Sequence, residues 1–277
     1  MKVPTHDSPY DNALGGAVQA ARRAAAVIRE QAGPLEDVRA KGTNDFVTET
    51  DDRAQDAIID TLHEAFPGDT ILAEEGATLE DHPAVADGRR WIVDPLDGTT
   101  NFMQQVPPYA VSIALQEDDA VVAGVVLDVS HSELFTAVAG HGLRVNGRPA
   151  GVSQTDTLGN AFLATGFPYR RFEHTERYLS VLEGILRETR GVRRHGSAAV
   201  DLARLACGRF DGFFETGLRP WDVAAGILLV REGGGRVTDY EGTAGLPPLF
   251  DRQVCATNGR VHERLLGHLA AMDDVRL

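Results

Sequence analysis

Cysteine is scarce, with Cys207 and Cys255 alone in 277 residues. Two cysteines make no disulfide framework, and no Cys-His cluster suggests zinc. A reducing, cytoplasmic setting is the expectation. Positive charge is also short: 27 Lys and Arg stand against 41 Asp and Glu, a formal charge of −14. That balance argues against direct nucleic-acid binding, which needs a basic footprint. Long apolar runs are missing. None approaches the ~18 residues of a membrane span, so no membrane association is expected. Met1 to Asn12 contains Pro, His and Asp but no apolar stretch of the kind a secretory signal carries. There is no internal repeat and no low-complexity linker.

What is present suits a globular chain, with 43% hydrophobic and 25% charged residues. Chains of this size bury roughly 75% of their unfolded surface. One unit over 1–277 is expected, with approximate halves 13–150 and 151–277. The 29 glycines imply many tight turns. The excess acid either coats a soluble surface or gathers in part around a metal, and composition does not separate the two.

Ala13 to Gln31 has helical apolar spacing and ends at Gly33-Pro34. Lys41 to Glu49 reads as a turn or irregular strand. Thr50 can cap a helix from Asp51 to Phe66. Thr70–Ala73 is expected as a short buried strand, and Arg90–Val93 as another. From Tyr109 the pattern turns to β. Runs at Ala110–Leu115, Ala120–Leu127 and Glu133–Val138 form a meander, and Asn146-Gly147 is a hairpin turn. Beyond it, strands are expected at Phe162–Ala164, Phe210–Phe214, Arg236–Asp239 and Val254–Ala256. Helices are expected at Glu173–Thr189, Ser197–Ala206, Trp221–Glu232 and Val261–Met272. This interleaving indicates a layered α+β or α/β architecture.

The densest chemical signal is Trp91-Ile92-Val93-Asp94-Pro95-Leu96-Asp97-Gly98-Thr99-Thr100-Asn101-Phe102. A buried strand carries two carboxylates into a tight turn. Pro95 restricts the backbone and Gly98 permits close approach. Carboxylates at a rigid turn suit a hard divalent cation. N–H groups at a following helix start suit a phosphate. Taken alone, this turn can also be read as simple capping. Three further acidic junctions accompany it: Ala73-Glu74-Glu75-Gly76, Thr48-Glu49-Thr50-Asp51-Asp52 and Pro220-Trp221-Asp222.

These motifs, in this order, resemble those of the inositol monophosphatase family, the lithium-sensitive, magnesium-dependent phosphatases. Trp91–Phe102 is similar to its central motif, and Arg219–Gly226 to its C-terminal one. Lys41–Asp51 and Ile71–Gly76 match two more. Lys41–Thr48 and Gly212-Phe213-Phe214-Glu215 give the chain a bacterial look. The resemblance implies alternating layers, α-β-α-β-α, a homodimer, and hydrolysis of inositol 1-phosphate or another small phosphorylated polyol.

It also implies roles. Glu74, Asp94 and the Leu96 carbonyl would hold one magnesium. Asp94, Asp97 and Asp222 would hold a second, and a third, weaker ion would share Glu74. Asp51 and Thr99 would orient and deprotonate the attacking water, with Glu74 in the same catalytic group. Gly98 and Thr99 N–H groups would cradle the phosphate, with Leu96, Asp97 and Asp222 bordering the substrate. Glu215 and Gly196-Ser197-Ala198 would meet the substrate hydroxyls, and Arg193 or Arg194 would touch them. Lys41 lies near the expected metal loop, and the role of His195 is open. Arg219 stands where some animal members carry His, and the Lys41-to-Asp51 spacing is one residue shorter than theirs. Fructose-1,6-bisphosphatase or histidinol-phosphatase activity on the same scaffold is the enzymatic alternative. Association with the transcription machinery, including RNA polymerase, is the alternative from another class.

Overall fold

The computed structural model describes residues 5–31, 38–42, 45–76, 88–168, 172–245 and 253–274. In chain order the elements begin with α1 (Asp11–Glu30), β1 (Val38–Gly42), β2 (Asp45–Thr48), α2 (Glu49–Ala65), β3 (Thr70–Ala73), β4 (Arg89–Asp97) and α3 (Thr99–Met103). A meander follows: β5 (Ala110–Glu117), β6 (Ala120–Asp128), β7 (Glu133–Val138), β8 (Leu143–Val145) and β9 (Arg148–Ala150). The remainder is β10 (Phe162–Thr165), α4 (Thr175–Glu188), β11 (Gly191–Arg193), α5 (Ala198–Ala206), β12 (Gly212–Thr216), α6 (Pro220–Glu232), β13 (Arg236–Thr238), β14 (Gln253–Thr257) and α7 (His262–Leu269).

Strands β3 to β9 form a seven-stranded sheet in sequence order; β3 and β4 are parallel, and the later neighbours antiparallel. The hairpin at Asn146-Gly147 joins β8 to β9, with both residues at positive φ. A five-stranded sheet has the order β11-β10-β12-β14-β13. Strand β11 was not anticipated from the sequence. It is three residues long and half exposed, too short to carry an alternating pattern. Strand β3 is an edge strand with Leu72 its one buried residue, so the expected full burial does not hold.

Alternation along the strands builds the layers. On β4, Trp91 and Val93 join the apolar cluster of α1 and α2, whereas Ile92 joins that of α5 and α6. On β12, Phe213 packs in the α5/α6 cluster and Phe214 in that of α4 and α7. The order is therefore α1/α2, seven-stranded sheet, α5/α6, five-stranded sheet, α4/α7. This is the expected α-β-α-β-α arrangement. Helix α6 lies between the sheets and is buried from Val223 to Val230, which explains why Val-Ala-Ala-Gly-Ile-Leu-Leu-Val has no polar face. Gly124 and Gly226 let it approach. A Cβ at Gly124 would lie 3.3 Å from the Ala225 backbone, and one at Gly226 would lie 2.6 Å from the Leu202 side chain. No helix among the described residues is long and apolar enough to cross a membrane.

Candidate active site

Asp94 and Asp97 are three residues apart on one strand, so a regular pleat would send them to opposite faces. The pairing with β5 shows why it does not. Asp94 opposes Ser112 and Asp97 opposes Ala110, so three steps on β4 face two on β5. That extra residue is a β-bulge at Pro95-Leu96, where the missing proline N–H costs no ladder bond. Leu96 stays on the α1/α2 side, and Asp97 returns to the inner side with Asp94. The Leu96 N–H donates to Asp94 Oδ1 at 2.9 Å and fixes its carboxylate.

Asp222 arrives from the opposite element. It is the third residue of α6, and its Oδ2 accepts the Arg219 N–H at 2.6 Å. The Ser112 hydroxyl donates to the Trp221 carbonyl at 3.2 Å and ties that helix start to β5. Asp94, Asp97 and Asp222 each bring a carboxylate oxygen within 4.8 Å of the others. Glu74 follows β3, with its N–H on the Val93 carbonyl at 3.1 Å. Its neighbour Glu75 is held by two Gln55 bonds of 3.0 Å from α2.

The charge cost is large. Burial pushes the Asp94 carboxyl well above the usual carboxylate range, and Glu74, Asp97 and Asp222 push it further. Burial also raises Asp97 to about 7, although Ser197 Oγ and the Ala199 N–H donate to it. Among the described residues, the charges that weigh most on Asp94 are acidic. Such a set of convergent oxygen donors fits a hard divalent cation, which would relieve this repulsion.

Asp51 sits where α2 begins. The expected cap was Thr50, but Thr48 takes that place in an extended conformation (φ −116°, ψ 164°). The reason lies in the reciprocal bonding. The Thr48 N–H (2.8 Å) and hydroxyl both donate to Asp51 Oδ2. The other Asp51 oxygen accepts from Thr99 Oγ1, at 3.0 Å. Thr99 Oγ1 also lies 3.1 Å from the Leu96 carbonyl, and its single proton serves one acceptor at a time. Gly98, at φ 95°, caps α3 in a conformation that strains other residues.

Glu215 lies two residues from Phe213 on β12, shares its face and so faces the inner layer. Desolvation raises its carboxyl well above the usual range. Arg194 opposes that shift, while Asp201, Asp222 and Asp97 add to it. A Cβ at Gly166 would overlap the Glu215 carboxyl, so a side chain there would have to displace that carboxyl. The two arginines diverge. Both are exposed, but Arg193 stacks 4.7 Å from the Phe162 ring, whereas Arg194 lies 6.0 Å from the Phe167 ring and acts electrostatically on Glu215. Ser197 caps α5, so Gly196-Ser197-Ala198 sits beside Asp97. His195 Nδ1 meets Asp201 Oδ1 at 2.7 Å. The Lys41 side chain and the Thr43-Asn44 turn lie outside the described residues.

Sequence reasoning missed the parts played by Thr48, Gly166, Asp201 and Asn101. The threonine three residues before Asp51 was a legible capping-box signal. Gly166 carried none, because Glu215 is distant in sequence, and Asp201 reads as an ordinary acid in the first turn of a helix.

The fold and the site together define a layered α/β protein with an acidic centre where two sheets face each other. A sequence model of the inositol monophosphatase family matches residues 10–273. The chain is 43% identical over 258 residues to "Nus factor SuhB" of Escherichia coli K12, covering 92% of this chain and 95% of that protein. Among solved structures, the extragenic suppressor protein suhB of Bartonella henselae matches with a TM-score of 0.85 and 41% identity, over 92% of this chain and 97% of that one. The inositol monophosphatase of Anabaena (Nostoc) sp. PCC 7120 matches with a TM-score of 0.83 and 38% identity, over 95% and 97%. The chain belongs to the inositol monophosphatase family.

Proposed function

We propose that this protein hydrolyses a small phosphate monoester with magnesium, inositol 1-phosphate foremost. The observation that carries this reading is the meeting of Asp94, Asp97 and Asp222 beside the Thr99–Asp51 hydrogen bond. Glu74, Asp94 and the Leu96 carbonyl would hold one ion, and Asp94, Asp97 and Asp222 a second; a third would share Glu74. Bound magnesium lowers the pKa of water and neutralises phosphoryl charge.

The chain's own groups do the rest. Of its two acceptors, the Thr99 hydroxyl would give its proton to Asp51, the Leu96 carbonyl being the group that would face a cation. Thr99 Oγ1 then accepts a hydrogen bond from the attacking water and relays its proton toward Asp51. The N–H groups of Gly98 and Thr99, at the start of α3, orient the phosphate. Glu215, Ser197 and Ala198 receive the polyol, and Arg194 rather than Arg193 borders it.

Phosphate release from inositol 1-phosphate, fructose 1,6-bisphosphate, histidinol phosphate and phosphoadenosine phosphate, with and without chelator, tests the proposal. Chelator-sensitive preference for inositol phosphate is the expected result. Preference for another substrate keeps the mechanism and replaces the substrate. No turnover on any of them overturns the enzymatic reading.

A second reading is association with the transcription machinery, supported by relatives named Nus factor SuhB. The acidic charge of the chain favours a protein partner over nucleic acid. RNA polymerase capture by wild type and by Asp94→Asn alike supports it, and no capture by either refutes it. A homodimer is expected for either role, and sedimentation measures it.

A further inference from the structure

Three loops meet beside the acidic centre, and one side chain joins them. Asn101, in α3, donates from Nδ2 to the Pro108 carbonyl at 2.8 Å and to the His195 carbonyl at 2.7 Å. Both partners are acceptors, so only the amide nitrogen fits there. The joined segments approach too closely for ordinary side chains. A Cβ at Gly98 would lie 3.1 Å from the Pro108 carbonyl and 3.2 Å from the Gly196 carbonyl. A Cβ at Gly196 would crowd Arg194 and lie 3.1 Å from Asn101 Oδ1.

The bridge has consequences on both sides. On one side are the Gly98 and Thr99 N–H groups, one turn from Asn101. On the other, His195 precedes Gly196-Ser197-Ala198, and α5 supplies Asp97 with its Ser197 and Ala199 donors. His195 is itself restrained: its ring meets Asp201 Oδ1 at 2.7 Å and packs 5.4 Å from the Phe210 ring. The carbonyl that Asn101 grips is therefore fixed to α5.

We infer that Asn101 is a positioning residue: it sets the distance between the phosphate-facing turn at Gly98-Thr99 and the polyol-facing turn at Gly196–Ala198. It touches neither the phosphate nor the leaving group. Its effect therefore scales with how much of the substrate spans both turns. An inositol phosphate spans both, whereas a simple aryl phosphate depends chiefly on the first. This inference rests on the phosphatase reading above.

The test compares wild type with Asn101→Ala and Asn101→Gln. Alanine removes both bonds; glutamine keeps the donor but lengthens the reach. Each protein is assayed with inositol 1-phosphate and an aryl phosphate at saturating magnesium. Thermal melts identify any loss of folding, and hydrogen exchange follows the Ala199 amide. The expected result is a fall of roughly tenfold in the inositol-over-aryl ratio of kcat/KM, since misplacement by about 1 Å can cost up to ~100-fold. Faster exchange at Ala199 should accompany it. A ratio within about twofold of wild type, in variants that melt normally, would reduce Asn101 to a fold-stabilising residue and overturn the inference. If wild type releases no phosphate, the phosphatase reading fails separately. The same ratio is then taken from calorimetric affinities for inositol 1-phosphate and inorganic phosphate in magnesium. Failure of wild type to bind either would overturn both.

Discussion

Asp94 takes the greatest electrostatic load in the centre. It is buried, and three other carboxylates face it. Replacement by Asn preserves shape and removes the charge shared between the two proposed ions. Outer-shell changes alone cost about 10–100-fold in metal affinity or activity, so Asp94→Asn should lose more than ~100-fold of magnesium-dependent turnover. Near-wild-type turnover would refute the two-ion assignment. Glu215 gives a different test. Glu215→Gln should lower kcat/KM for inositol phosphate ~10–100-fold, the worth of a hydrogen bond to a charged group, while sparing an aryl phosphate. Equal losses on both would remove Glu215 from polyol recognition.

The same acids set a pH dependence. Folded Asp94, Asp97 and Glu215 have pKa values above those of the unfolded chain. Between the unfolded carboxylate range and about pH 7, the folded state therefore binds more protons, and stability falls as pH rises. Buried His262, lowered to about 4, acts with the opposite sign and favours folding as pH rises from 4 toward 6.5. A cation at the centre cancels the first effect and leaves the second. The gain in melting temperature from magnesium should thus be larger at pH 8 than at pH 5. An equal gain at both would count against metal binding by these acids.

At the scale of elements, α2 and α6 share a device. Each places an Asp at its third position and folds that carboxylate back onto the backbone N–H of its cap: Asp51 onto Thr48, Asp222 onto Arg219. The residue that starts the helix is thereby also aimed into the site. Most of the elements were legible, because Asp11–Glu30 buries one helical face and the β5–β7 meander is built of short, nearly continuous buried runs bounded by turn residues. The site was legible where chemistry clusters along the chain, as at Trp91–Phe102. It was not legible where two distant segments meet without unusual chemistry of their own. Gly166 under Glu215 is of that kind. Packing between α5 and α6 makes a separate prediction. Gly226→Val would drive a branched side chain into Leu202 and destabilise by ~1–3 kcal/mol, measured by denaturant titration. Unchanged stability would mean that the helices separate freely.

Across the whole molecule, the centre is a seam. Asp94 and Asp97 come from the seven-stranded sheet, Asp222 and the Asp97 donors from the helices between the sheets, and Glu215 from the five-stranded sheet. No single layer contains the site. Assembly of the layers and assembly of the chemistry are therefore one event, and a bound cation joins parts that are far apart in the chain. Removal of metal by a chelator should loosen the contacts between layers before it unfolds α1, which hydrogen exchange can follow.

The bulge at Pro95-Leu96 turns this chemistry into a matter of parity. Residue identity alone does not put Asp97 beside Asp94; an odd spacing does so only because one extra residue is absorbed between them. Deleting Leu96 would restore a regular ladder with both acids still on the inner face, yet would remove the N–H that fixes Asp94 and the carbonyl that faces Thr99. Inserting a residue there would instead force a choice between a second extra residue in the bulge and an acid turned into the apolar layer beneath α1 and α2.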